Sequence, residues 1–241
     1  MENEIPLSGG RITPGVVRAG DTVRRPVTAA SPFVAELLGH LQRRGFTGAP
    51  RHLGTDAAGR DVLSYVPGSV PARFRQWSDA QVAAAGTLLR GLHDATRACG
   101  LVGRHSVVCH HDPGPNNTVF RDDVPAAFID FDTAAPGEPL EDLGYMAWTW
   151  CVASKAEAPP VGVQATQVRV LADAYGLDGA ARSGLVDAML ERQTRNAGWW
   201  RDRLPGAADS DRGRITESIR WSERERAYTA ANRAVFAAAL R

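Results

Sequence analysis

The chain is poor in lysine and in cysteine. Lys155 is the single lysine among 28 lysines and arginines, so a site that needs a cation has to use arginine almost everywhere. There are three cysteines, an odd number without a Cys-x-x-Cys pair. This usage favours reduced thiols over a disulfide framework and predicts a cytoplasmic protein.

Long apolar runs and an excess of charge are also missing. No apolar run approaches the length needed to span a bilayer, and the first ten residues lack the charged-then-apolar pattern of a signal peptide. A net charge of +1 over 241 residues gives no reason to expect nucleic acid or an anionic membrane as a partner. The composition, 44% apolar and 23% charged, suits one large core or two small lobes.

The first third of the chain predicts a small antiparallel sheet with one helix. Short apolar segments separated by glycine turns predict strands around 5–7, 15–19, 22–25, 51–55 and 61–66. Ser31 and Pro32 precede an apolar stripe at helical spacing, which predicts a helix over 31–43.

The rest of the chain predicts mostly helices. A capping box at Ser78 and Gln81 opens a helix that runs to about Ala98, with His93 inside it as a packed or capping histidine. Helical spacing predicts three further helices near the end, at 164–175, 183–201 and 216–240. Tryptophans in this region are expected in the core, and no acceptor residue is assigned.

The stretch from residue 107 to residue 143 concentrates the polar residues that suit chemistry. Asp112 is followed five residues later by Asn117, and Asp130 follows an apolar, strand-like run. Phosphoryl transfer from a nucleotide needs a carboxylate that orients and deprotonates the attacking hydroxyl, and oxygen ligands that hold Mg²⁺ on the phosphates. These three side chains supply those groups in that order.

Three motifs in this stretch resemble the catalytic core of the aminoglycoside phosphotransferase and choline kinase family. They are His-His-Asp at 110–112 with Asn117 five residues on, Asp-Phe-Asp at 130–132, and Gly-Glu-Pro-Leu-Glu-Asp-Leu at 137–143. The resemblance implies a phosphotransferase that uses Mg²⁺ and moves the γ-phosphate of ATP or GTP to a hydroxyl of a small molecule. An aminoglycoside or another antibiotic is one acceptor class, and a primary metabolite or biosynthetic intermediate is another.

The resemblance also implies roles for single residues. Asp112 would be the catalytic base, and Asn117 and Asp130 would bind Mg²⁺. Three supporting residues would fix the loop, supply a further oxygen near the metal and brace the loop, namely His110, Asp132 and Asp142. Because Asp142 precedes an apolar helical run at 143–153, we also expect it to cap that helix.

The family's fold, together with these elements, predicts an α+β, protein-kinase-like protein of two lobes. The N-terminal lobe (1–66) would bind the nucleotide, with adenine against the backbone near Ser64 and Val66. The linker at 67–71, rich in proline and glycine, would be the hinge. A larger, mostly helical C-terminal lobe (72–241) would carry the catalytic loop and the acceptor site.

Phosphate contacts are expected at two places in the N-terminal lobe. Ser8, Gly9 and Gly10 resemble the glycine loop that covers phosphates in kinases, because glycine lets the backbone approach closely; a plain turn between strands is the alternative. An arginine on the third strand would replace the kinase lysine. Arg24 and Arg25 point to opposite faces of a strand, and Arg24 matches the family pattern.

The chain departs from the family in three places. The helix position of the glutamate that pairs with the strand cation holds Val34, and Glu36 lies about 200° around the helix. His111 replaces a usual glycine, where a larger side chain would touch substrate or point outward. The glycine loop is short, which suggests an abbreviated nucleotide lid.

These departures keep two other interpretations open. One is a catalytically weak or inactive nucleotide-binding member of the same fold. The other is a metal-dependent phosphohydrolase that uses His-Asp pairs, at 93–94 and 111–112. Such a site needs both pairs on helices that converge on the metals, and the Pro-Gly-Pro run at 113–115 breaks helical continuity.

Overall fold

An antiparallel sheet forms the N-terminal part of the protein, for which a computed structural model describes residues 4–7, 15–71 and 76–241. Its strands, β1 to β5, are Glu4–Pro6, Val17–Ala19, Thr22–Arg25, His52–Thr55 and Asp61–Ser64. Within these described residues the spatial order is β1-β2-β3-β5-β4. In the pairing of β3 with β5, Thr22 lies opposite Ser64 and Arg25 lies opposite Asp61. The sheet predicted from the sequence is therefore present.

One helix, α1, packs beside this sheet and spans Ser31–Arg43 as predicted. Its apolar stripe is buried against the core, at Val34, Leu37, Leu38 and Leu41. The hydroxyl of Ser31 donates to the carboxylate of Asp61, which ties the first turn of α1 to β5. Glu36 points to solvent, so the helix provides no glutamate for a cation on β3.

The linker at 67–71 is fixed to the hairpin that follows the loop at 110–117, which the sequence predicts to be the catalytic loop. Ser69 and Phe120 exchange two backbone hydrogen bonds, of 3.0 and 2.8 Å. Gly68 makes this approach possible, because a Cβ at its position would lie 2.3 Å from the carbonyl oxygen of Phe120. Its φ of 143° also lies in the region that favours glycine.

Two small strand pairs frame the catalytic loop. Strand β6 (Val107–Cys109) enters the loop and pairs antiparallel with β9 (Ala135–Gly137). After the loop, β7 (Thr118–Arg121) and β8 (Val124–Phe128) form a hairpin. The turn between β7 and β8 holds Asp122 and Asp123, both with positive φ, so these aspartates are turn residues.

Helices make up most of the remaining chain. They are Asp79–Thr96 (α2), Pro139–Met146 (α3), Val161–Tyr175 (α4), Gly179–Arg203 (α5), Asp209–Ala231 (α6) and Arg233–Ala239 (α7). The predicted capping box opens α2, since Ser78 and Gln81 bond reciprocally. Helix α2 packs on α4, and α5 packs on both α3 and α6. Within residues 4–7, 15–71 and 76–241, no helix has the length and apolar character that crossing a membrane requires.

Helices α4 and α5 begin three and four residues earlier than predicted, and the larger differences from the sequence prediction are at α3 and α6. Helix α3 begins at Pro139, because Glu138 and Glu141 form a capping box there, and it continues into a π-helical turn at Ala147–Cys151. Asp142 therefore lies inside α3, and the prediction that it caps a helix starting at residue 143 is wrong. The predicted helix over 216–240 begins seven residues earlier and is interrupted at Asn232, where α6 ends and α7 begins.

Candidate active site

Asp112 and Asn117 meet in the loop after β6. The amide Nδ2 of Asn117 donates to Asp112 Oδ2 at 2.8 Å and to the Asp112 carbonyl at 3.0 Å. Asn117 is buried, so this contact is protected from water. The other carboxylate oxygen, Asp112 Oδ1, is buried and has no hydrogen-bond partner in the described part of the chain. Asp112 is thus held by one oxygen and keeps the other available to accept a proton.

Asp130 follows β8 and is brought next to Asn117 by the backbone. The N–H of Ile129 donates to the Asn117 carbonyl at 2.9 Å. Asp130 itself has φ 65° and ψ 63°, a left-handed conformation that costs free energy and is found where a fold fixes a side-chain direction. The charges of Asp112 and Asp130 also interact. The loop and the end of β8 therefore share one site.

His110 connects the loop that holds Asp112 to the end of β8. Its Nε2 donates to the Ile129 carbonyl at 3.0 Å, while its Nδ1 accepts from the Asp112 N–H at 3.3 Å. The ring is fully buried, and it packs at 4.5 Å from Phe131 between ring centroids. These contacts tie the loop to the end of β8 through the His110 ring.

The carboxylates of Asp130 and Asp132 face a guanidinium from the sheet. Arg25 on β3 forms an ion pair with Asp132 and lies 3.7 Å from Asp130. Partial burial raises the pKa of the Asp130 carboxyl, the Asp132 carboxylate adds to the rise, and Arg25 opposes it. Negative charge is therefore concentrated at this point, and a cation there relieves it.

Asp142 holds the loop from inside α3. Its two oxygens accept the backbone N–H groups of His110 and His111, both at 2.7 Å, and His93 Nε2 lies 3.1 Å away. Burial alone would raise the pKa of Asp142, but the His93 hydrogen bond and the nearby imidazoles lower it to about 2. Asp142 is therefore ionised, and its contacts are those of a brace under the loop.

Of the predicted nucleotide contacts, the structure describes only some. Ser8, Gly9 and Gly10 lie outside the described residues, in the connection from β1 to β2. Ser64 ends β5, where its hydroxyl accepts the Arg51 N–H at 2.8 Å. Val66 lies just before the linker, and neither of its backbone groups forms a hydrogen bond within the described chain.

The two neighbouring arginines of β3 point to different partners. Arg24, favoured from the family pattern, lies 3.4 Å from Glu4 on the face away from the catalytic loop. Arg25 is the one that reaches the carboxylates at 130 and 132. The alternation of side chains along a strand separates the two residues, and the pairing of β3 with β5 decides which of them faces the loop.

One contact at the loop has no signal in the sequence. Arg192, buried on α5, donates from Nη2 to the His111 carbonyl at 2.6 Å. A single arginine inside a helix of mixed polarity gives no indication of such a contact. His93, by contrast, was expected from the sequence to be a packed or capping histidine. Its ring lies between Asp142 and Tyr175.

A bacterial relative matches this chain over its whole length, and a family model matches its middle part. The trifolitoxin immunity protein of Rhizobium leguminosarum bv. trifolii is 31% identical over 264 residues, covering 100% of both chains. A family model described as "Phosphotransferase enzyme family" matches residues 100–185, the segment that contains the loop, the carboxylates and Asp142.

Solved structures show the same fold at lower identity. A choline/ethanolamine kinase family protein from Mesorhizobium loti aligns with a TM-score of 0.66 at 20% identity, covering 99% of this chain and 92% of that one. An aminoglycoside phosphotransferase from Streptomyces rimosus, solved with ADP and streptomycin, aligns with a TM-score of 0.57 at 16% identity, covering 91% and 92%. The predicted α+β, protein-kinase-like fold is confirmed. The chain belongs to the same family as the trifolitoxin immunity protein, and its segment 100–185 matches the phosphotransferase enzyme family, as the resemblance in the sequence implies.

Proposed function

We propose that the protein is a kinase that moves the γ-phosphate of ATP or GTP to a hydroxyl of a small molecule. The observation that carries this proposal is the contact of Asp112 with Asn117 beside Asp130. Asp112 Oδ2 is held at 2.8 Å while Oδ1 has no partner in the described chain. A carboxylate that is fixed but keeps free lone pairs suits a base that orients the attacking hydroxyl and receives its proton.

Asn117 and Asp130 are the proposed Mg²⁺ ligands, with Asp132 as a nearby oxygen. Carboxylate and amide oxygens are the donors that Mg²⁺ prefers. The Asn117 Oδ1 accepts one hydrogen bond from Asn116, at 3.1 Å, and keeps a second lone pair. The raised pKa of Asp130, caused by burial and by Asp132, fits a site that a cation completes. When bound, Mg²⁺ would neutralise charge on the phosphates.

Arg25 is the proposed phosphate-binding cation on β3. It already lies among the carboxylates that would hold the metal, at 3.7 Å from Asp130. A metal on those carboxylates would compete with the guanidinium, which would then turn to the phosphate oxygens that arrive with it. Arginine suits this role because its planar fork donates two parallel hydrogen bonds to a phosphate.

The nucleotide would lie between the sheet and the helical part of the chain. In this proposal 1–66 is the nucleotide-binding lobe, 67–71 is the hinge and 72–241 carries the loop and the acceptor site. The backbone groups of Val66, which form no hydrogen bond to any described residue, suit hydrogen bonds to the base, with Ser64 beside them. The glycines at 9 and 10 would cover the phosphates next to Ser8. The cysteines described as free thiols favour a reducing compartment, the cytoplasm.

An antibacterial compound is the acceptor class that we favour. The full-length relative is named for immunity to trifolitoxin, and one solved structure of the same fold holds streptomycin with ADP. Both names point to protection against an antibiotic rather than to primary metabolism. The proposed reaction would then inactivate the compound by adding a phosphate to one of its hydroxyls.

The phosphohydrolase alternative has little structural support. His93 is buried against Asp142, whereas Asp94 pairs with Arg90 at 2.6 Å on the surface. The two members of the first His-Asp pair therefore point in different directions and do not converge with Asp112 on one metal.

A two-step measurement tests the proposed function. In the first step, the protein is titrated with Mg-ATP and Mg-GTP while its unfolding temperature is followed. In the second, ADP or GDP release is measured against a panel of aminoglycosides, other antibiotics and amino alcohols. We expect stabilisation by the nucleotide and acceptor-dependent release that an Asp112→Asn variant lacks.

The other outcomes separate the alternatives. Nucleotide binding without transfer to any acceptor would favour the inactive member of the fold. Absence of nucleotide binding at millimolar concentrations would overturn the kinase proposal altogether.

A further inference from the structure

Three metal-binding side chains converge behind the catalytic loop, away from the proposed Mg²⁺ ligands. They are Cys109 at the end of β6, His111 in the loop and Glu141 in the first turns of α3. Their ligand atoms all lie within 4.8 Å of one another, and His111 Nε2 is 3.4 Å from Glu141 Oε2. A sulfur, an imidazole nitrogen and a carboxylate oxygen at such spacing form a donor set typical of zinc.

Gly137 leaves the space that this donor set surrounds. A Cβ at its position would lie 2.8 Å from Glu141 Oε1, 2.9 Å from Cys109 Sγ and 3.3 Å from His111 Nε2. The three ligand atoms are thus the nearest neighbours of one small space in front of the glycine. Because the ligand atoms lie within 4.8 Å of one another, a point between them is at most about 2.8 Å from each, and contraction by about 0.5–0.8 Å would bring them to the 2.0–2.3 Å that zinc requires.

The orientation of His111 suits metal binding. Its Nδ1 lies 3.1 Å from the Thr133 carbonyl, which can only accept, so Nδ1 carries the proton. Nε2 then presents a lone pair toward Cys109 and Glu141, and it is buried with no hydrogen-bond partner among the described residues. Metal-binding histidines have this arrangement, with the other ring nitrogen donating to a carbonyl or carboxylate.

The backbone at His111 is also costly. Its φ is 64°, a left-handed conformation that glycine adopts freely and that strains the backbone of a larger residue. A histidine at a position suited to glycine indicates that its imidazole has a use.

We propose that Cys109, His111 and Glu141 bind one divalent ion of the zinc class. On binding, the Cys109 thiol gives its proton to solvent and the sulfur–metal bond forms, without any change of oxidation state. Glu141 stays in place because Arg195 donates to its Oε2 at 2.8 Å and the Glu138 N–H donates to its Oε1 at 3.0 Å. Soft sulfur and nitrogen donors separate this site from the all-oxygen Mg²⁺ site.

Binding would stiffen the catalytic loop from behind. Cys109 and His111 flank His110, and His111 immediately precedes Asp112. An ion that joins them to α3 would add to the two hydrogen bonds by which Asp142 already holds His110 and His111. Burial raises the pKa of the Cys109 thiol, so without metal the thiol stays protonated and donates to the Glu138 carbonyl at 3.3 Å.

Cobalt binding to the full-length, metal-stripped protein tests this proposal without any assay of phosphate transfer. We expect one Co²⁺ per chain, a thiolate-to-cobalt charge-transfer band in the near ultraviolet, and displacement of Co²⁺ by Zn²⁺. Cys109→Ser should abolish the band, and His111→Gly should weaken binding by more than about tenfold. Glycine suits the backbone at 111, so that variant keeps the fold.

Matched variants control for adventitious binding. Cys99→Ser removes another thiol, and His105→Ala removes a surface histidine that lies 3.5 Å from Glu138; neither should change the band or the affinity. The proposal is overturned if the wild-type protein gives no band, if Cys99→Ser loses as much as Cys109→Ser, or if excess Mg²⁺ displaces the cobalt. Because the readout is metal binding, failure of this proposal would leave the kinase proposal intact.

Discussion

At the scale of single residues, Asp142 and Asp130 show how the surroundings of an aspartate decide whether it supports the loop or is available to a cation. Asp142 is surrounded by donors, including His93 and two backbone N–H groups, and its pKa falls to about 2. Asp130 faces another carboxylate, and its pKa rises because burial and Asp132 outweigh Arg25. The Asp142 carboxylate has its hydrogen-bond donors within the protein, whereas a bound cation would stabilise the ionised form of Asp130.

Replacing Asp142 by asparagine should destabilise the protein. The variant Asp142→Asn loses charge-assisted hydrogen bonds at a site with 0% exposure, and we expect the free energy of unfolding to fall by about 3 kcal/mol. Urea unfolding measures it. Asp94→Asn is the control, since Asp94 is about half exposed and pairs with Arg90 and Arg97, each within one turn of it; its loss should stay below about 1 kcal/mol. Equal losses would contradict the assigned role of Asp142.

The same residue predicts a pH dependence of stability. Folding lowers the pKa of Asp142 from its usual 3.8 to about 2, so its ionised form contributes about 2 kcal/mol above pH 4. This contribution is lost as the pH falls from about 4 to about 2. The wild-type free energy of unfolding should therefore fall more steeply over that range than that of Asp142→Asn. Parallel curves would show that Asp142 does not titrate in this way.

The sequence placed the proposed catalytic residues close together but favoured Arg24 as the phosphate-binding cation, whereas the structure places Arg25 against the carboxylates at 130 and 132. The spacing of Asp112, Asn117 and Asp130 is local, so a motif could predict that they lie together. The choice between Arg24 and Arg25 depends on which face of β3 turns to the loop. That face is set by long-range pairing, which no local pattern contains.

At the scale of elements, the linker shows how a single glycine joins two parts of the chain. Gly68 passes so close to the β7–β8 hairpin that no side chain larger than a hydrogen atom fits at its position. The sequence predicted a linker at 67–71 from proline and glycine. It could not predict the backbone pairing of Ser69 with Phe120, because the two residues are 51 positions apart.

Gly68→Ala should cost more stability than a glycine replacement in an open turn. The new methyl group would meet the Phe120 carbonyl at 2.3 Å, and we expect the free energy of unfolding to fall by about 3 kcal/mol. Gly59→Ala is the control: its φ of 76° is also positive, but nothing lies within 4 Å, so only backbone strain of about 1 kcal/mol applies. Similar losses in both variants would contradict the close approach at 68.

Helix α3 shows why one boundary was missed. Its capping box uses Glu138 and Glu141, whereas the residues that usually cap helices are serine, threonine, aspartate and asparagine. Asp142 looked like such a cap because apolar residues follow it. In the folded chain its carboxylate accepts hydrogen bonds from His110 and His111 instead. These partners are distant in sequence, so the local pattern does not predict them.

At the scale of the whole molecule, Arg25 links the sheet to the catalytic end of the helical part. It is buried on β3 and pairs with carboxylates that are more than 100 residues away in sequence. Binding of a nucleotide at this place would exchange that ion pair for contacts to metal and phosphate. The joining of the two parts and the binding of the nucleotide would therefore use the same side chain.

Removing Arg25 should weaken nucleotide binding far more than removing Arg24. We expect the Kd for Mg-ATP to rise by at least about tenfold in Arg25→Ala, since a charge-assisted contact to phosphate contributes about 1.5–3 kcal/mol. Arg24→Ala, on the other face of the strand, should change it by less than about threefold. Calorimetric titration of both variants measures the difference. The reverse order would restore Arg24 as the phosphate-binding residue.

The most direct test of the kinase account is the Asp112→Asn variant, with nucleotide binding and phosphate transfer measured on the same sample. Asparagine keeps the shape of the side chain but cannot accept the proton. With an acceptor from the panel, transfer should fall by about 10²–10⁴-fold, while the Kd for Mg-ATP stays within about twofold of wild type. Transfer at the wild-type rate would contradict the account, because Asp112 would then not be the base.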